Sequence, residues 1–255
     1  MDPLTLPIGH IYTDHTLPQV PSDVAVVMPT IMRDTVGRAI RSVYDQTFEG
    51  RIQLLIGVDR RLGRAPDLRD IIAQRPAHVS VVTLVLPFST SARHGGVHSA
   101  FDGGALRPIL AFMANSRRIA FLDDDNQYLP NHLQSLSAAL GGKAWAWSLR
   151  RLIDAESQAD LGIDQWDSTG PGAGRFAAEG GLVDTNCLMV DKVKTGHLLG
   201  YWSESGTHDT GWTGDRKFFG AICGLPSGAS GEASVLYTLW PNQVLHDRLK
   251  AKPQA

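Results

Sequence analysis

The sequence predicts an α/β fold with a mainly parallel sheet flanked by helices. Three observations predict it. Short, strongly apolar runs recur at residues 24–28, 52–58 and 79–86, and such continuous runs suit strands covered on both faces. The segments between them carry helical spacing, and strand, helix and strand joined by short links imply right-handed crossovers and parallel pairing. A further apolar run from Arg118 to Leu122 ends in three successive carboxylates, Asp123, Asp124 and Asp125. A buried strand delivers such groups to the crevice at the carboxyl edge of an open sheet.

Taken in order, residues 1–22 lack periodicity and contain Pro3, Pro7, Pro18 and Pro21, so an extended arm lying on the domain is expected. The first strand stops at Pro29-Thr30. Asp34 is the expected N-cap of a helix whose apolar face is Val36, Ala39, Ile40, Val43 and Tyr44. Asp59 follows the second strand and so emerges at the same edge as Thr30. Arg60, Arg61 and Arg64 come next, and Pro66 opens a short helix through Ile71 and Ile72. Residues 88–104, rich in Ser, Gly and His, form a loop facing that edge, and Leu106, Ile109, Leu110 and Met113 mark the helix that leads into Arg118. Beyond the triplet the pattern predicts a helix at 131–140 ending on Gly141-Gly142, a strand at 143–149, and a Gly- and Pro-containing stretch at 154–181 expected as a mobile lid. A strand at 182–190, a polar aromatic loop at 202–214, a helix at 215–222, a strand at 235–240 and a polar tail complete the chain.

The 255 residues, with 24 Lys and Arg against 26 Asp and Glu, form no dense basic stripe, which excludes a nucleic-acid footprint. One domain is expected. Cys187 and Cys223 make neither a metal-type pair nor a disulfide framework, in keeping with a reducing cytoplasm. The first 21 residues carry prolines and acids where a secretory leader needs a basic start and an apolar run, and no segment is long and apolar enough to span a membrane. Peripheral membrane contact stays open.

Alternation along extended backbone puts Asp123 and Asp125 on one side and Asp124 on the other. Two converging carboxylates want a cation, and an oxygen-only ligand set suits Mg²⁺ or Mn²⁺ completed by substrate phosphates, which points to a nucleotide-diphosphate substrate. The plainer reading is a solvated acidic turn capping the helix near Asn131.

These stretches resemble the family 2 glycosyltransferases. Val26-Val27-Met28-Pro29-Thr30 with Arg33 and Ser42-Val43-Tyr44-Asp45-Gln46-Thr47 is similar to that family's opening strand, turn and first helix. Ile56-Gly57-Val58-Asp59 resembles its second strand, and Phe121-Leu122-Asp123-Asp124-Asp125 its DxD strand. The resemblance implies a Rossmann-like GT-A fold over residues 1–255, with an arm at 1–22, a nucleotide-sugar donor half at 23–128 and a variable acceptor half at 129–255. It implies Thr30 and Arg33 beside the nucleotide, Asp59 at the base, Asp123 at ribose or phosphate and Asp125 on Mn²⁺ or Mg²⁺. Ala92-Arg93-His94-Gly95-Gly96 resembles the loop before the DxD strand, so Arg93 is expected to reach the donor. It also implies transfer with inversion to a saccharide or other hydroxyl acceptor, and Gly214-Asp215-Arg216 resembles the helix start that carries the general base, here Asp215.

Plainer readings stand beside these. Asp215 equally caps its helix. Trp202 and Trp212 suit stacking on a sugar or ordinary packing, Asp184 suits an acceptor contact or a turn, and His246 suits a third metal ligand or a surface position. Asp209, Asp184, Glu204 and Glu179 rival Asp215, and His208 rivals His246. A metal-dependent hydrolase would use His94, His98 and Asp102, four apart on one helix face, although Gly95-Gly96 interrupts that turn. A non-catalytic nucleotide- or sugar-binding module is the remaining alternative.

Overall fold

The computed structural model describes residues 9–14, 19–60, 63, 67–99, 103, 105–204, 214–241 and 243–250. Its strands are β1 (Gly9–Tyr12), β2 (Val24–Thr30), β3 (Ile52–Asp59), β4 (Val79–Leu86), β5 (Arg118–Phe121), β6 (Gln127–Tyr128), β7 (Trp145–Asp154), β8 (Asp160–Ile163), β9 (Gly170–Pro171), β10 (Gly181–Leu182), β11 (Leu188–Asp191) and β12 (Ser227–Leu239). Helices are α1 (Val36–Tyr44), α2 (Leu68–Ala73), α3 (Leu106–Met113), α4 (His132–Leu140), α5 (Lys192–Thr195), α6 (Gly214–Ile222) and α7 (Val244–Lys250), with short 3₁₀ turns between.

The central sheet runs in the order β1-β4-β3-β2-β5-β11-β7-β12-β6, and β8 pairs with β7. Strands β4, β3, β2 and β5 are parallel neighbours, as the apolar runs predicted. Every residue of β2 is buried, because β3 and β5 flank it while helices cover the sheet. The second half of the sheet is mixed: β11 is antiparallel to both β5 and β7, and β12 runs parallel to β7. The resulting α/β architecture has a main core that draws residues from Val24 to Val235 and a small second cluster of Leu152, Leu239 and Leu245.

The apolar face of α1 is buried as expected, but Thr35 rather than Asp34 takes the N-cap position. Asp67 caps α2, its side chain accepting the Arg69 N–H. The N-terminal arm adds more than cover, since β1 pairs antiparallel with β4 and forms the sheet edge. The stretch expected as a mobile lid carries regular structure. It contains β8 and the small β9–β10 ladder, in which Gly181 has φ +86° and a Cβ there would stand 2.2 Å from the Gly170 carbonyl oxygen. The single strand expected at 182–190 is interrupted by a 3₁₀ turn, Thr185–Cys187, capped by Asp184. The polar tail carries α7, which packs Leu245 against Leu152 and Leu239.

Candidate active site

The carboxyl ends of β2, β3 and β5 open onto a cleft of about 750 Å³. Thr30, Arg33, Asp59, Arg93, Asp123, Asp124, Asp125, Asp184 and Asp215 all line it, so the topology gathers most of the residues the sequence singled out.

The acidic triplet does not lie on the strand. Strand β5 stops at Phe121, and Asp124 and Asp125 occupy a turn closed by the Asn126 N–H donating to the Asp123 carbonyl at 3.2 Å. The acids therefore do not alternate as on a strand, and each acquires its own partners. Asp124, only 1% exposed, accepts from Thr30 Oγ1 at 2.6 Å and from Arg33 Nη1 at 2.5 Å. Thr30 in turn accepts the Met32 N–H at 2.7 Å, so its hydroxyl anchors the acid and the following turn. Asp123 is held by Arg107 and by Asn186, whose Nδ2 donates at 3.1 Å while its Oδ1 accepts the Asp123 N–H at 2.6 Å.

Asp125 is the acid least matched by the protein. Its Oδ2 accepts from Trp240 Nε1 at 3.1 Å and lies 3.8 Å from Arg33 Nη1. Burial, followed by repulsion from Asp123, pushes its pKa up to about 6 even though Arg33 pulls it down. Among the described residues no three His, Cys, Asp or Glu side chains converge as a protein-only metal cage. A Mg²⁺ or Mn²⁺ ion completed by phosphate oxygens needs only one or two carboxylates, and an under-compensated carboxylate on the cleft wall fits that demand.

Asp59 accepts from Ser89 Oγ at 2.9 Å and from the Thr90 N–H at 2.6 Å. It thus pins the loop that carries Arg93 while bordering the cleft. Asp215 lies in the first turn of α6 and accepts the Arg216 N–H at 2.8 Å. It therefore sits on the cleft wall and contributes to its own helix start.

Asp184 belongs to a buried charge network. Arg150, 2% exposed, donates to Asp164 at 2.9 Å, Asp184 at 2.7 Å and Asp167 at 2.8 Å, and lies 3.9 Å from the Tyr237 ring centroid. Burial alone would depress its pKa, but Asp184, Tyr237, Asp164 and Asp167 outweigh burial and raise it. Arg150→Ala is expected to destabilise the fold by about 3–5 kcal/mol, because Asp164 and Asp184 would lose their cation and Asp167 would keep only Arg175. A denaturant midpoint unchanged by that substitution would refute this account.

Three expectations are corrected. Trp202 is 1% exposed and stacks on Phe218 at 4.5 Å with Phe121 beside it, so the core takes the ring and it offers no face to an acceptor. His246 is buried on α7 with Nε2 3.7 Å from Asp154 Oδ2, and it does not line the cleft with Asp125. The packing of α7 on β7 and β12 turns the imidazole that way. His94 and His98 do not share a helix face either: the turn Ala92–His94 ends on Gly95 at φ +90°, and His98 forms a bridge with Ser91. Trp212, Asp102, His208 and Asp209 lie outside the described residues.

Sequence reasoning missed Arg107 and Trp240. Arg107 is buried in the first turn of α3, lies 5.2 Å from the Trp202 ring centroid and lines the cleft. A lone Arg among the apolar residues of a helix start was its signal in the sequence. Trp240, at the end of β12, reaches Asp125 across a separation of 115 residues, which no local pattern encodes.

Neither a protein-family model nor a curated protein sequence matches the chain. Solved structures do. S. aureus TarS is similar at 11% sequence identity and a TM-score of 0.58, over 86% of this chain and 37% of that one. S. aureus TarS 1-349 in complex with UDP matches at 12% identity and a TM-score of 0.58, over 86% of this chain and 61% of that one. The same protein in complex with UDP-GlcNAc matches at 11% identity and 0.57, over 90% and 61%. The chain spans about three fifths or less of the length of these structures. At such identity the likeness establishes a shared fold.

Proposed function

We propose that this chain is a glycosyltransferase of the family 2, GT-A type, moving a sugar from a nucleotide-diphosphate donor to an acceptor hydroxyl. The observation that carries the reading is the cleft at the carboxyl ends of β2, β3 and β5, where two acids of the triplet are matched by Arg33 and Arg107 and Asp125 is left for a cation. The fold neighbours in complex with UDP and UDP-GlcNAc support the same chemistry.

In this reading Arg33, Arg93 and Arg107 surround the diphosphate, and Asp59 and Asp123 orient the nucleoside. Asp125 would hold Mn²⁺ or Mg²⁺, which would supply positive charge to neutralise the departing diphosphate. Asp215, across the cleft in the C-terminal half, takes the acceptor proton, and attack opposite the leaving group inverts the anomeric centre. Asp184 borders the acceptor side, its carboxylate oriented by Arg150 and Asn186.

Thermal unfolding with a panel of nucleoside diphosphates and divalent cations tests the reading. At a ligand concentration 100-fold above Kd, one base is expected to raise Tm by about 5–10 °C with Mn²⁺ or Mg²⁺ and by much less with chelator. A flat response across every base and cation would sink it.

A further inference from the structure

Beside Asp215, three arginines alternate with two aromatic rings contributed by separate segments. The guanidinium carbon of Arg216, in the first turn of α6, lies 3.8 Å from the Phe176 ring centroid. That of Arg175 lies 4.3 Å from Phe176 and 4.3 Å from Trp166, and that of Arg248, on α7, lies 4.5 Å from Trp166. A ring attracts a guanidinium through its quadrupole but offers no lone pair to the in-plane N–H donors. Those donors still need acceptors.

Arg175 forms an ion pair with Asp167, Nη2 to Oδ1 at 2.5 Å. Arg216 is half-buried, and among the described residues no carboxylate comes within ion-pair distance of its guanidinium. Asp215, Asp167 and Glu179 attract it from farther away, while desolvation first and the like charge of Arg175 next hold its pKa below the usual value. A half-buried planar cation with no carboxylate at ion-pair distance and a like-charged neighbour attracts an oxyanion, which an Arg fork takes in bidentate fashion.

We infer that the Arg216–Phe176–Arg175 ladder is an oxyanion-docking subsite that holds a phosphate or carboxylate group carried by the acceptor. The acceptor role rests on the glycosyltransferase reading; the docking itself does not. The neighbouring Asp215 repels an anion, so the charged group stays on the arginines and the neutral hydroxyl is the part of the acceptor that approaches the base. The chemistry shared by the two sources is an oxyanion, and the probes below separate them.

The test follows the arginine Nε–Hε resonances of the intact protein during titration with inorganic phosphate and, separately, acetate, at constant ionic strength against chloride. The Arg216 signal, assigned by its loss in Arg216→Lys, is expected to shift saturably with a Kd on the order of 1–10 mM, the affinity of a few charge-assisted hydrogen bonds. In Arg216→Gln the accompanying shift at Arg175 should no longer saturate. The tighter of the two anions names the acceptor group. A linear drift equal to that in chloride would overturn the subsite even if UDP with Mn²⁺ still raises Tm. Saturation by phosphate in a protein that UDP does not stabilise would keep the docking and remove the acceptor role.

Discussion

Asp125→Asn is expected to stabilise the cation-free protein at pH 7 while abolishing cation-dependent nucleotide binding. The Asp125 side chain is 17% exposed, and its pKa is raised from 3.8 to about 6 by burial and then by Asp123. The sign follows from linkage. A carboxyl with a raised native pKa favours folding when it is protonated in both states, below about pH 4, and that contribution is lost as pH rises through about 6. At pH 7 the carboxylate thus costs up to about 3 kcal/mol, from roughly two pKa units at 1.36 kcal/mol each. An amide has no such ionisation, so the variant should unfold at higher temperature than the parent at pH 7, with the gap closing near pH 4. The same substitution removes the anionic ligand, and the Mn²⁺-dependent thermal shift with a nucleoside diphosphate should vanish. Parallel pH–stability curves for the two proteins would refute the destabilising carboxylate, and an undiminished cation effect would refute its role as a ligand.

Asp215→Ala is expected to lower kcat by about 10²–10⁴-fold, the usual contribution of a positioned general base, with little change in donor affinity. Asp215 also accepts the Arg216 N–H at 2.8 Å in the first turn of α6. Loss of that contact is expected to cost about 1 kcal/mol of stability, so turnover is compared at a temperature where both proteins are folded. A fall in kcat of less than about threefold, accompanied by that modest destabilisation, would assign Asp215 to helix capping alone. An unmeasurable turnover in the parent protein, with nucleotide still bound, would instead favour the non-catalytic binding module.

Much of the frame is local and therefore legible. The buried strands read as continuous apolar runs because β2, β3 and the first five residues of β4 are covered on both faces, and 79–86 matches β4 residue for residue. Parallel order follows from strand, helix and strand with short links, and it carries Thr30, Asp59 and the triplet to one edge without knowledge of any long-range contact. The second half was harder to read. Strand β11 enters between β5 and β7 with antiparallel neighbours, and a connection of that kind has no signature in periodicity. The stretch 154–181 gave only a weak pattern because its order comes from side-chain and turn contacts that carry no period: Arg150 gathers Asp164 and Asp167, while Gly181 packs against Gly170.

The sequence by itself determined the α/β frame, the edge at which the cleft opens and the acids that reach it, since these depend on periodicity, chain direction and residue type within short windows. Only the tertiary structure decided how those acids are partnered. Asp124 is claimed by Thr30 and Arg33 from over ninety positions away, Asp123 by Arg107 and Asn186, and Asp125 is left to Trp240. It likewise put Trp202 in the core and turned His246 toward Asp154. Charge compensation and side-chain burial depend on which groups meet in space, and a linear pattern carries no distance between residues that far apart.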